Sequence, residues 1–133
     1  MNPAYTEVAQ RANHRCEYCQ APEVVFNFPF EVEHIIPLSR QGSNDEKNLA
    51  LACRSCNLRK GNRISGLDPS SNTEVRFFNP RQDNWDEHFQ VIPDSGEVIG
   101  RTPIGKTTAQ CLEMNSPAQI AARRLWIGLG LFP

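Results

Sequence analysis

Several things are scarce in this chain, and each scarcity removes a class of explanation. No apolar stretch approaches the roughly 18 residues that a membrane-spanning helix requires, so no membrane partner is expected. Positive charge is not in excess: 14 Lys and Arg stand against 15 Asp and Glu, a net charge of −1. General attraction to a polyanion is therefore not expected, and a nucleic-acid site would have to be a local basic patch. The opening MNPAYTEVAQ has neither a basic n-region nor an apolar h-region, so a secretory signal is not expected and the protein is taken as soluble and cytosolic. Repeats and low-complexity tracts are missing. GKTT (105–108) lacks the upstream glycine of a phosphate-binding loop, and no small-molecule organic cofactor is expected. At 133 residues the chain is one compact domain or a small module with an appendage.

Cysteine is the informative residue. Four of the five form two C-x-x-C turns, CEYC (Cys16, Cys19) and CRSC (Cys53, Cys56), while Cys111 reads as a small buried hydrophobe on a helix. In a reducing compartment, two such turns far apart in sequence point to zinc rather than to disulfides. Each turn offers two thiolates to one side of a tetrahedral ion, and two turns complete a closed four-cysteine site. Two disulfides or a thioredoxin-like redox pair are the alternatives, but neither pair has the βαβ surroundings of a redox motif. His14 lies beside the first turn and is not needed as a ligand when four cysteines are present.

Local signals place the elements. Asn2-Pro3 followed by Tyr5, Val8, Ala9 and Ala12 predicts a short helix over 3–13. Residues 24–36, VVFNFPFEVEHII, alternate with strand period, split at Pro29, which cannot donate to a ladder. NLALA (48–52) predicts the partner strand of a hairpin with a wide polar loop, and CRSCNLRKGN opens a short helix that Gly61 terminates. ISGLDPSSNT (64–73) reads as a connection. HFQVI and EVIGR flank a PDSG turn, and Thr102-Pro103 and Ser116-Pro117 announce helices near 103–114 and 117–127. The fold class is α+β: a zinc-stapled module over 1–66, then a C-terminal α/β extension over 67–133 consisting of a hairpin plus two helices, packed on that core. A module of about 65 residues buries too little to be secure alone. A structural zinc contributes an apparent free energy on the order of 10–16 kcal/mol.

Taken in order, CEYC, EVEHIIPLS and NLALACRSCNLRKG resemble the HNH endonuclease family over roughly residues 14–63. The resemblance implies a β-hairpin plus helix around one catalytic metal ion, the ββα-metal fold, and hydrolysis of DNA to 5′-phosphate and 3′-hydroxyl ends. It puts His34 at the general base, Glu33 at the acidic metal ligand and Asn57 at a second ligand. Asn48 falls on the asparagine that holds the loop and orients the histidine. Where some members have a further histidine ligand, this chain has Gly61, so one ligand is missing.

The residue chemistry agrees with that reading. An imidazole titrating near ~6.5 can take a proton from water at neutral pH. Two oxygen ligands, Glu33 and Asn57, suit Mg²⁺ or Mn²⁺, which keep much of their hydration. Lys60, three residues after Asn57, shares its helix face and is expected at the substrate phosphate, with Arg59 and Arg63 beside it. Arg54, Arg59, Lys60 and Arg63 make 54–63 a basic run without acidic residues, although a solvated helix face explains Arg54 and Arg59 equally well. Neighbouring strand residues point to opposite faces, so Glu33 and His34 can serve one phosphate only if the strand ends or twists there. Trp85 and His88 read as an aromatic cluster joining the two halves rather than as site residues. Cys53→Ser is expected to lose zinc and unfold, and Glu33→Ala to stay folded. The rival reading is a zinc-stapled module that binds nucleic acid or protein without cutting; within the nuclease reading, RNA or branched DNA remain alternative substrates.

Overall fold

A computed structural model describes residues 2–133. Helix α1 (Tyr5–Arg11) is shorter than the predicted span. The Asn2 carboxamide accepts from the Ala4 N–H at 2.8 Å, closing a turn before the helix begins. Strand β1 (Glu31–His34) pairs antiparallel with β2 (Leu49–Ala52), with Glu31 opposite Ala52 and His34 opposite Leu49. Helix α2 (Arg54–Lys60) follows β2 directly; the Cys53 sulfur accepts from the Cys56 N–H at its start, and Gly61 ends it at φ 55°. Hairpin and helix thus appear where the sequence signals place them.

Residues 24–30 do not form the predicted strand. A turn of 3-10 helix covers Glu23–Val25, and the Phe30 N–H donates to a side chain, Glu23, rather than to a neighbouring strand. Their alternating apolar pattern serves an aromatic cluster instead: Phe26 lies edge-on to Phe30 at 4.8 Å and reaches Trp126 at 6.1 Å. Periodicity identified the apolar residues but not their partner.

The expected connection after α2 is itself a hairpin, β3 (Ser65–Leu67) with β4 (Glu74–Arg76). Asp68 closes its loop by accepting from the Ser70 N–H and the Ser71 hydroxyl, a side-chain turn that composition alone reads as a linker. The short α3 (Trp85–His88), capped by Asn84, leads into β5 (Phe89–Ile92), which pairs with β6 (Glu97–Gly100). Helices α4 (Pro103–Cys111) and α5 (Pro117–Gly128) begin at the expected caps, with Thr102 accepting from the Gly105 N–H and Ser116 from the Gln119 N–H.

The strands form three separate two-stranded ladders, each of which leaves one face to be covered. That cover is one apolar core, running from Val8 and Ala9 of α1 through Leu49–Ala52 to Phe77, Phe89, Leu112 and Phe132. Trp85 packs on Phe89 at 4.9 Å and donates its indole N–H to the Tyr18 carbonyl at 2.8 Å. Arg81 pairs with Glu17 in the first cysteine turn. No helix among the described residues is long and apolar enough to cross a membrane.

Candidate functional site

The two C-x-x-C turns meet. All four sulfurs of Cys16, Cys19, Cys53 and Cys56 lie within 4.8 Å of one another, and all four residues are buried. Zn–S bonds of about 2.3 Å in a tetrahedron give S···S edges of about 3.8 Å, and Cys19 and Cys53 sulfurs are 3.7 Å apart. The Cys19 N–H points at the Cys16 sulfur and the Cys56 N–H at the Cys53 sulfur, as thiolate ligands require. Thiolate donors in this arrangement fit zinc. Among the described residues this is the one group of three or more His, Cys, Asp or Glu side chains that could hold an ion.

The hairpin leads from this cluster to Glu33 and His34. The strand ends at His34, as expected, with one further backbone bond from the Ile35 N–H to the Asn48 carbonyl at 2.8 Å. Glu33 turns inward and is 6% exposed; His34 is half-buried. The imidazole Nε2 lies 2.8 Å from the Asn44 Oδ1. With that oxygen as acceptor, Nε2 carries the proton and Nδ1 holds the free lone pair.

Asn48 holds the loop between β1 and β2. It accepts from the Ile36 N–H at 2.8 Å and donates to the carbonyls of Ile36 at 2.9 Å and Ser43 at 2.8 Å. Gly42 lies so close to this loop start that a Cβ there would fall 1.7 Å from the Ile36 oxygen. Asn48 therefore reaches the histidine through the loop, while the side chain touching the ring is Asn44, which sequence reasoning missed. The loop carries two asparagines, Asn44 and Asn48, and only the folded loop shows which one meets the imidazole.

Lys60, expected at a substrate phosphate, is turned inward and is 1% exposed. Its ammonium donates to the Glu33 Oε2 at 3.2 Å, the Ile35 carbonyl at 2.8 Å and the His34 carbonyl at 3.4 Å. The other Glu33 oxygen accepts from the buried Tyr18 phenol. Burial pushes the Glu33 carboxyl up, and the Lys60 charge and the Tyr18 hydrogen bond act against it. Burial and the facing Glu33 raise the Tyr18 phenol. Glu33→Ala would leave the buried Lys60 ammonium without its carboxylate, so the variant expected to stay folded should do so with reduced stability.

Asn57 is half-buried on α2, three residues before Lys60 and on the same side of the helix, and its amide has no hydrogen-bond partner among the described residues. Arg59 pairs with Glu113 at 2.5 Å. Arg63 donates to the Cys111 carbonyl at 3.3 Å and lies over the Phe77 ring at 5.5 Å. Both arginines join α2 to the C-terminal elements, whereas Arg54 is exposed. His88 is bonded to Thr102 at 2.6 Å and takes no part in this arrangement.

The HNH endonuclease family model matches residues 16–63, which span the cysteine cluster, the hairpin and α2. The CRISPR-associated endonuclease Cas9 of Corynebacterium diphtheriae is 44% identical over 54 residues, which are 40% of this chain and 5% of that protein. The Septu protein PtuB of Bacillus thuringiensis is 26% identical over 121 residues, 90% of this chain and 44% of that protein. The chain thus spans less than half the length of either curated relative, and no solved structure matches it. Residues 16–63, a β-hairpin and helix joined through a four-cysteine cluster, are the part of the chain that matches the HNH endonuclease family.

Proposed function

We propose that this chain is a metal-dependent endonuclease that hydrolyses phosphodiester bonds in DNA, with His34 as general base and one Mg²⁺ or Mn²⁺ held by Glu33 and Asn57. The observation behind the reading is that α2 packs on the β1 end of the hairpin, so that the unpartnered Asn57 amide shares a helix face with the residue that touches Glu33. Each Glu33 oxygen accepts one hydrogen bond and retains a lone pair, and with the Asn57 oxygen this is an oxygen donor set suited to a hard cation. When bound, such an ion supplies a Lewis acid for the charge that develops on the phosphate and the leaving 3′ oxygen. His34 takes the proton of the attacking water at Nδ1, while Asn44 holds the ring from the opposite side. Asn48 keeps the loop, and with it Asn44, in register. The exposed Arg54 is the basic residue of α2 free to meet the phosphate backbone; Arg59 and Arg63 would add to it by giving up internal contacts.

One observation favours the rival, a zinc-stapled binding module: Lys60 already neutralises Glu33 without a second metal. Supercoiled plasmid incubated with pure protein and Mg²⁺ or Mn²⁺ separates the readings. Nicking or linearisation by wild type, reduced about 10²- to 10⁴-fold in His34→Ala, is the expected result. Intact plasmid with both proteins across several metals, alongside retained DNA binding, would establish the binding module. Parallel RNA and branched-DNA substrates decide the substrate class.

A further inference from the structure

Tyr18 occupies a place that the proposed chemistry does not yet use. It is the third residue of the Cys16–Cys19 turn, fully buried, and its phenol reaches across to β1 to donate to the Glu33 Oε1. Its own backbone is pinned by the Trp85 indole at 2.8 Å. The neighbouring Glu17 anchors the same turn to β2, accepting from the Leu51 N–H at 2.8 Å and donating its own N–H to the Leu51 carbonyl at 2.9 Å. The other Glu33 oxygen is held by Lys60, which follows Cys56 by one helical turn. The carboxylate is therefore gripped from both sides by residues rooted in the two cysteine turns.

We infer that Tyr18 is a positioning residue: it transmits the rigidity of the four-cysteine site to the Glu33 carboxylate, so that affinity for the divalent ion depends on the cysteine turn. The inference rests on the reading of Glu33 and Asn57 as ion ligands. A carboxylate side chain can swing about three bonds, and each orientation it explores weakens a two-residue ligand set. A donor fixed by the cysteine turn removes that freedom before the ion arrives. Hydrogen-bond partners that orient a metal ligand commonly change metal affinity by about 10- to 100-fold when removed.

The test is Tyr18→Phe in the full chain, which deletes one hydroxyl and keeps the ring. Zinc per chain is counted by elemental analysis, the fold is checked by near-ultraviolet circular dichroism, and Mn²⁺ affinity is measured by paramagnetic resonance titration of free ion. The expected result is an unchanged zinc content and spectrum with a Mn²⁺ Kd raised about 10- to 100-fold. Glu33→Gln and Asn57→Ala test the underlying reading in the same titration. If both bind Mn²⁺ like wild type, the ion site itself is wrong. If they weaken binding while Tyr18→Phe does not, the ion site stands and the role of Tyr18 is refuted. A Tyr18→Phe chain that loses zinc or fails to fold also overturns the inference, because the phenol would then serve the fold alone.

Discussion

The Lys60 ammonium lies 3.2 Å from the Glu33 carboxylate, with both side chains withdrawn from solvent. A lysine three residues after a candidate ligand on a short basic helix looks made for phosphate, yet it spends its charge inside the protein. Two carbonyl bonds at the end of β1 complete its set of donors, so one side chain fixes the helix, the strand end and the carboxylate together.

Breaking such a buried pair from one side leaves an uncompensated charge, which costs about 3–5 kcal/mol. Lys60→Met should therefore lower the urea midpoint by a corresponding amount. The double variant Lys60→Met, Glu33→Gln should recover most of the loss, because neither site then carries a buried charge. Equal instability of the single and double variants would show that Lys60 acts through packing rather than charge.

Removing zinc should be more drastic than removing any one core side chain. The cysteine cluster joins the segment before the hairpin to the helix after it. Cys53→Ser deletes a ligand and also the sulfur that accepts from the Cys56 N–H. It should yield a chain without tightly held zinc and without a cooperative thermal transition, as should prolonged treatment of wild type with a strong chelator. A folded, zinc-free Cys53→Ser protein would show that the apolar core suffices.

Acid stability should depend on Glu23. Its carboxylate accepts from the Tyr5 hydroxyl, the His14 imidazole and the Phe30 N–H, each at 2.7 Å. Burial alone would raise this carboxyl; the three hydrogen bonds outweigh it and hold it below its ordinary value of 4.5. A group depressed in the folded state contributes stability that is present above its unfolded value and is lost as pH falls through the folded one. Wild type should thus lose stability relative to Glu23→Gln as pH drops below about 4.5. Comparing urea midpoints of the two proteins at each pH cancels the acid loss of zinc, which both share. A constant difference across the acid range would rule out this linkage.

The legible parts of the fold were those set by short-range chemistry. Thr102-Pro103 and Ser116-Pro117 supply their helices with a cap and a first-turn proline within a few residues, so both starts could be read directly. NLALA, bounded by a polar loop and CRSC, gave β2, and the PDSG turn gave the β5–β6 hairpin. The run at 24–30 misled because alternation reports which residues are apolar, and aromatic rings can bury one another without a partner strand. The β3–β4 hairpin was hidden for the opposite reason: its strands have three residues each, too few to show a period.

The sequence by itself determined the two cysteine turns, the order of hairpin and helix, and the residue types available for metal and proton chemistry, because ligand spacing and capping are properties of adjacent residues. Tertiary structure alone decided where those groups point. It drew Lys60 inward to Glu33, gave the His34 ring to Asn44, tied Arg59 to Glu113 and seated Tyr18 between the cysteine turn and β1. Each of these pairs joins residues separated along the chain, and for the buried Lys60, Glu33 and Tyr18 what selects the partner is the cost of burying a charge or a hydroxyl without one. That cost arises only once packing has excluded water.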